Sequence, residues 1–558
     1  MGSFMFANRE IRRAFGLYAQ LLLLHEKDER LAVLLSGAAY RIGRMDDAIM
    51  DLRVKEWKKL FRAPIVSILE KLRHTGALED LDELIQLTPT GLFELMRIRG
   101  LGGKKLNLLW KNAGIDNVEH LLTACRNGKV RRIPGFGKKT EENLVRDIEN
   151  YFAHKKKFYY ATLADAADLL LHSLRRLFDT KQIEFCGEIR RQSPTLESIE
   201  FVAAGIRNKM RTPKLRKYLL IESHNEKETK GHTLDEFPVT IYHTSPSEFV
   251  LAQFMRTGSQ EHVENVLGRI LKHGRYRSEK DIYHRAGLPF IVPEMRENLA
   301  EWNFPDSKQL VEHGDIRGVV HNHTTWSDGV DSLEQFAAAC KAKGFEYVVI
   351  ADHSKNAHYA GGMKEEKLFR QLEEIDELNK KLKPFHIFKS VECDILVSGE
   401  LDYSGDVLDT LDLVIVSVHQ QLKMDEERAT RRLIRAIENP HTTILGHMTG
   451  RQLLIRSGYP VIARKIIDAC AANGVVIELN ANPYRLDIDW SQIPYAVEKN
   501  VMVSVNPDAH SIAEIDNIRW GVSAARKGGL TKDMTWNAMS LKKLRQWLAV
   551  RNRKFARL

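Results

Sequence analysis

Nine imidazole and carboxylate side chains in the C-terminal half of this chain stand at the ends of short apolar runs, a placement that packing alone does not demand. Val319-Val320 leads into His321-Asn322-His323, with Asp328 just beyond, and Val348 to Ala351 delivers Asp352-His353. Ile387-Phe388 and Val391 lead to Glu392, and Leu413 to Val416 reaches His419. Ile444 to Gly446 stops at His447, and Val501 to Val505 is followed by Asp508-Ala509-His510. One strand-end histidine is ordinarily a satisfied structural residue; nine ligand-type groups together point to a metal site. In an extended strand residues two apart share a face, so His321 with His323 and Asp508 with His510 read as chelating pairs.

The elements that must hold these groups follow from the intervening sequence. Amphipathic stretches from Leu333 to Lys343, Glu365 to Leu382, Glu427 to Ile437 and Val461 to Ala472 predict helices, so strand alternates with helix. That alternation predicts a parallel α/β barrel, and in such barrels functional groups collect at the C-terminal strand ends, where these nine fall.

These stretches resemble the polymerase and histidinol phosphatase (PHP) domain of metal-dependent phosphoesterases. The motifs are His321 to Gly329, Ala351-Asp352-His353-Ser354, Val391-Glu392, Ser417-Val418-His419, Gly446 to Arg451 and Asp508 to Ser511. The resemblance implies a distorted (β/α)7 barrel over residues 313–558 that binds two or three divalent ions. One ion is expected on His321, His323, Glu392 and Asp508, a second bridged by Glu392 to His419 and His447, and a third on Asp328, His353 and His510. Mixed nitrogen and oxygen ligation suits Mn²⁺, Zn²⁺ or Fe²⁺, with Mn²⁺ and Zn²⁺ expected first. Such ions activate water against phosphorus and neutralise phosphoryl charge. His353 and Arg451 are the expected catalytic residues. Arg451 and Lys355 are candidate phosphate clamps, the first bidentate and the second a point charge.

Length, composition and charge bound the rest. At 558 residues the chain is long enough for three or more domains, and its 43% hydrophobic content supplies ordinary cores. The longest apolar runs, such as Leu21 to Leu24, are too short to span a membrane. Five scattered cysteines without CxxC spacing suit a reducing compartment, so the expected location is cytoplasmic, with no membrane partner. A net charge of +10 favours a polyanionic partner. Two glycine hairpins, Ile98 to Leu106 and Ile133 to Thr140, each open into a basic helix. Backbone NH groups at a helix start form a sequence-independent phosphate grip, so Gly100, Gly102, Lys104 and Lys105, with Gly135, Gly137, Lys138 and Lys139, are the candidate DNA contacts. They resemble helix-hairpin-helix units.

From Met5 to about Trp302 the chain resembles a bacterial family X DNA polymerase, whose members commonly carry a C-terminal PHP domain. Thr88 to Lys105 follows the family's second hairpin region, Thr257 to His262 its nucleotide-binding segment, and Asp281 to Glu294 the end of its thumb. The expected fold is therefore multidomain α/β. A helical N-terminal domain spans 1–80, a helix-hairpin-helix domain 81–150, a polymerase-beta-like palm and thumb 151–302, a linker 303–312 and the PHP barrel 313–558. The first 80 residues depart from the family, since Leu60 to Pro64 lacks the glycines of its first hairpin.

The palm departs further. Family polymerases use an Asp-x-Asp pair and a third Asp to hold two Mg²⁺ ions. Ser198, Glu200 and Thr240 stand in those places, so Mg²⁺ is not expected there. Gly187, Arg190, Arg191, Gly258 and Ser259 are expected to be a nucleotide-binding remnant, and the basic stretch from Arg207 to Lys217 a candidate backbone track. Three functions compete on these residues. The first is a metal-dependent phosphoesterase on DNA, a 3′-5′ exonuclease or 3′-end-processing activity in repair, acting as a monomer on gapped or 3′-ended DNA. The second is an active gap-filling polymerase, and the third a small-molecule phosphomonoesterase of the histidinol phosphatase type.

Overall fold

The computed structural model describes residues 7–555 apart from 44, 46, 99, 273 and 304–308. Five residues of the expected 303–312 linker thus lie outside the described residues. The chain divides into two compact units on either side of the Lys155–Lys156 bond.

The first unit is helical. Asn8–Leu24 and Glu29–Ile42 lead it, and Asp28 caps the second helix by accepting from the Leu31 NH at 2.9 Å. One buried apolar cluster runs from Ile11 through Trp57 to Ile148. Both predicted hairpins form. Gly100 (φ 79°) and Gly135 (φ 88°) take the left-handed conformation that turns the chain, a region costly for any residue with a Cβ. Gly102 and Gly137 then cap the helices Gly103–Ala113 and Lys138–His154.

The second unit contains both the palm and the barrel. In the palm the helix Tyr160–Phe178 buries Leu163, Leu170 and Leu174 against a five-stranded sheet. The sheet order is Ile183–Phe185, Ile199–Ala204, Pro238–Thr244, Glu228–His232, Leu220–His224, and only the second and third strands pair in parallel. The helices Phe249–Thr257, Gln260–Leu267 and Glu279–Arg285 follow, around Phe254 and Tyr283.

The barrel is all parallel, and its strands, buried on both faces, are the continuous apolar runs seen in the sequence. Gly318–Asn322, Tyr347–Ile350 and His386–Lys389 form one arc. Glu392–Asp394, Val414–Ser417, Thr442–Leu445, Val476–Asn480 and Val503–Asn506 form the other. His386–Lys389 and Glu392–Asp394 are one strand position broken at Ser390-Val391, which changes neighbours at the break. Parallel bridges between His353 and Glu392 and between Asn322 and Ala509 join the arcs on both sides, giving the seven strand positions of the expected distorted barrel. The predicted helices are found at Leu333–Ala342, Glu365–Lys381, Glu426–Ile437 and Ala463–Asn473. Among the described residues no helix is long and apolar enough to cross a membrane.

Candidate metal centre

All nine predicted ligands converge at the C-terminal ends of the barrel strands. Four groupings are tight enough to share an ion: His323, Asp328, His353 and His510; His321, His323 and Asp508; His321, Glu392 and His447; and His353, Glu392 and His419. Glu392 is the hub, with one carboxylate oxygen 3.2 Å from His321 Nε2, 3.2 Å from His419 Nε2 and 3.0 Å from His447 Nε2. Its other oxygen lies 2.9 Å from His353 Nδ1. The expected third set is therefore not self-contained, because His353 also leans on Glu392 and His323 reaches Asp328.

The chelating pairs form by a different route from the one expected. His321 (φ 63°) and Asp508 (φ 52°) leave the extended conformation for the left-handed region, so alternation along a regular strand does not aim them. Non-glycine residues rarely adopt this conformation and concentrate at functional sites. The turn still brings His321 and His323 within 3.7 and 3.2 Å of one Asp508 oxygen.

The ligand atoms fit a cation on the chemistry of the buried donors. His321 Nε2, both ring nitrogens of His323, His353 Nδ1, Glu392 Oε1 and Asp328 Oδ1 are buried with no hydrogen-bond partner. Orphans of this kind are costly in a protein interior unless something else satisfies them. Burial raises the carboxyl pKa of Glu392, but the surrounding imidazoles, His419 first, hold it well below its ordinary value. Burial opposes ionisation of Asp508 too, and His321 beside it, with Arg485 and His510, overcomes it. Both acids thus stay in the ligating form. Burial, reinforced by His510 and His353, pushes His323 down to about 3, which keeps it a neutral imidazole. For His419 burial is outweighed by Glu392 and by the hydrogen bond to Asp394, raising it to about 10.

A supporting layer orients the ligands. His321 Nδ1 donates to Glu478 at 2.5 Å, and His419 Nδ1 donates to Asp394. Asp352 is buried and accepts from the Thr324 NH and hydroxyl, the Ser327 hydroxyl and the Gln371 amide, which ties the His321–Asp328 segment to the strand before His353. Sequence reasoning missed Glu478 and Asp394 as site residues. Glu478 follows the apolar run Val475 to Ile477, the same signal that marked the ligands, and Asp394 stands two residues past Glu392.

Arg451 departs from expectation. Its guanidinium donates to Asp489 and to the carbonyls of Arg485 and Leu486, so it braces a loop and is not free to clamp phosphate. Lys355 is paired with Glu365. Among the described residues a cation that does face the ligand set is Arg485, whose Nε lies 3.7 Å from Asp508.

In the palm, Glu200 and Thr240 are neighbours across parallel strands, and the Tyr242 hydroxyl donates to Glu200 at 2.8 Å. A cavity of about 770 Å³ is lined by Gly187, Glu188, Arg191, Glu200, Tyr242 and Gly258, among others. Arg190 and Ser259 are not in its lining. Arg190 makes a bidentate pair with Glu279, and Ser259 caps the helix Gln260–Leu267. Among the described residues no grouping competent to hold an ion falls in the palm.

The hairpins differ from each other. The Gly103 NH donates to Gln20 at 2.6 Å, Lys104 pairs with Glu29 and Lys105 donates to the Gly100 carbonyl, so the first hairpin's donors are largely engaged within the fold. Lys138 and Lys139 are exposed at the start of their helix.

Residues 92–150 match the SAM-like helix-hairpin-helix tandem family. Over 510 residues the chain is 33% identical to the DNA polymerase/3′-5′ exonuclease PolX of Bacillus subtilis (strain 168), covering 86% of this chain and 89% of that protein. A probable phosphatase of Thermoanaerobacter sp. (strain X514) is 27% identical over 252 residues, 42% of this chain and 95% of that protein. A Leishmania infantum polymerase beta ternary complex covers 36% of this chain at 14% identity, with a TM-score of 0.23. The extent of the match to the Bacillus protein places this chain in the PolX family, the bacterial family X DNA polymerases that carry a PHP domain.

Proposed function

We propose that the chain is a metal-dependent phosphodiesterase acting on DNA, a 3′-5′ exonuclease or 3′-end-processing enzyme of repair, on a polymerase frame that no longer synthesises. The observation that carries the reading is the contrast between the two centres. The barrel gathers nine ligands, several of whose buried atoms have no protein partner, while the palm groups no set fit for an ion among the described residues. In this reading residues 1–80 and 81–150 are the helical and helix-hairpin-helix domains, 151–302 the palm and thumb, and 313–558 the hydrolase. Lys138 and Lys139 grip the DNA backbone, a role the basic charge and the hairpin geometry support.

Two or three Mn²⁺ or Zn²⁺ ions, when bound, supply an activated water and neutralise phosphoryl charge. The chain's own residues do the rest. His321, His323, Glu392 and Asp508 would hold one position, Glu392 with His419 and His447 a second, and Asp328, His353 and His510, joined by His323, the outermost. Asp328 and His510 are 24% and 32% exposed, so substrate enters on their side. Arg485 takes the phosphate-orienting role expected of Arg451. In the palm, Glu200 is engaged by Tyr242, and Thr240 offers only a hydroxyl, a poor Mg²⁺ ligand beside a carboxylate.

The test is one gel. Purified protein with Mn²⁺ is given DNA carrying a one-nucleotide gap and a 5′-labelled primer, with and without dNTPs, beside His353→Ala. Shortening that disappears in the variant, with no extension, is expected. Extension by both proteins would overturn the reading of the palm, and an unshortened primer would overturn the hydrolase.

A further inference from the structure

Tyr359 is 68% exposed, yet it is fixed beside the metal ligands. It sits in the short turn His358–Ala360, whose flanking Ala357 and Ala360 are buried. Backbone bonds pin the turn to the segment carrying His353: the Ala357 NH donates to the Ser354 carbonyl at 3.1 Å and the Met363 NH to the His353 carbonyl at 2.9 Å. Gly362 is pressed so closely on the Ser354 carbonyl that a Cβ would stand 2.1 Å from it, so the turn has little room to move. The Tyr359 ring centroid lies 6.3 Å from those of both His353 and His419. Among the described residues the Tyr359 hydroxyl has no hydrogen-bond partner, so no polar contact accounts for where the ring is held.

A large aromatic surface in water contributes little to folding, and a core role is excluded by its exposure. A rigid, open π-face one residue's width from phosphate-handling groups is suited to a flat ring covalently attached to that phosphate. We infer that Tyr359 stacks on the nucleobase of the terminal nucleotide whose phosphodiester is cleaved, and that this contact makes the centre select nucleotide ends over phosphoesters without a ring. The inference rests on the hydrolase reading above and names its substrate determinant. Stacking is tolerant of base identity, so the four bases should be accepted alike.

The experiment uses the full chain with Mn²⁺ and two single-stranded oligonucleotides, one ending in a normal 3′ nucleotide and one ending in an abasic 3′ nucleotide. Wild type should prefer the normal end. Tyr359→Ala should lower kcat/KM on that end by about tenfold, mainly through KM, and abolish the preference, as removal of one stacking partner implies. Tyr359→Phe keeps the ring and should keep the preference. A second readout is independent of turnover: an oligonucleotide with 2-aminopurine at its 3′ end and a hydrolysis-resistant phosphorothioate as its last linkage. Its fluorescence should be quenched by wild type and Tyr359→Phe but not by Tyr359→Ala. Equal quenching by Tyr359→Ala, or an equal fall in rate on both ends, would overturn the stack while leaving the hydrolase standing. Wild type that cleaves neither oligonucleotide would overturn the hydrolase itself.

Discussion

Glu478 offers both carboxylate oxygens to the neighbours of the ligand set. One accepts from His321 Nδ1 at 2.5 Å and Asn506 at 2.8 Å, the other from Asn480 at 3.0 Å and the His447 NH at 3.1 Å. It thereby fixes the His321 tautomer so that Nε2 carries the free lone pair, and it seats the strand end bearing His447. Glu478→Gln keeps the shape but cannot accept all four donors. Mn²⁺ affinity should fall roughly 10- to 100-fold, measured by calorimetric titration, with far-ultraviolet circular dichroism unchanged. Unaltered affinity would remove Glu478 from the site. At this scale the ligands themselves were legible, because an apolar run ending in His, Asp or Glu is a visible pattern. Their aim was not: His321 and Asp508 reach the centre through left-handed backbone that no alternation rule anticipates. Nor does sequence say that Arg451 faces Asp489 while Arg485, close behind in the fold, faces Asp508.

The two hairpins share a glycine pattern but not a supply of donors. Lys104, itself exposed, is paired with Glu29 and the helix start before it with Gln20, while among the described residues Lys138 and Lys139 have no such partner. If the second hairpin carries the phosphate grip, Lys138→Ala with Lys139→Ala should weaken DNA binding equally for unrelated sequences. It should also reduce the slope of log affinity against log salt by about 1 for each phosphate no longer neutralised. Lys104→Ala should change the slope less, because the Glu29 carboxylate beside its ammonium competes with and repels a phosphate at the same position. Fluorescence anisotropy across a salt series reads both, and an equal response from the two hairpins would sink the distinction. Element existence was readable here because glycine at φ 79° and 88° is a local requirement. Partner choice is not local. The strand broken at Ser390-Val391 switches neighbours through long-range pairing, and Val476–Asn480 escaped notice although its apolar run into Glu478 repeats the barrel's own signal.

Palm and barrel share one compact unit, and buried ion pairs join them. Arg191 of the palm donates to Glu297, which also receives the nearly buried Lys527 of the barrel, and Arg526 reaches Glu294. Beneath this lies Glu279, gripped by Arg190 at 2.7 and 2.8 Å and by the fully buried Arg296 at 2.8 and 2.9 Å. The arginine pair expected from the sequence as a nucleotide-binding remnant is here divided between the thumb, through Glu279, and the junction with the barrel, through Glu297. Burial alone would raise the Glu279 carboxyl, but hydrogen bonds from Arg296 and Arg190 bring it from 4.5 down to about 2. A carboxyl depressed in the folded state contributes its stabilisation fully above the unfolded value and loses it as pH falls through the folded one. The window is therefore pH 4.5 down to about 2, and the difference is worth about 3 kcal/mol. Glu279→Gln leaves two guanidiniums under-compensated, so at pH 7 it should lower the urea midpoint of the second unit by an amount equivalent to about 3 kcal/mol. The gap to wild type should narrow steadily as the pH drops through that window. A gap that stays constant with pH would mean that packing, not the carboxylate charge, is what Glu279 brings to the frame that holds the metal centre in place.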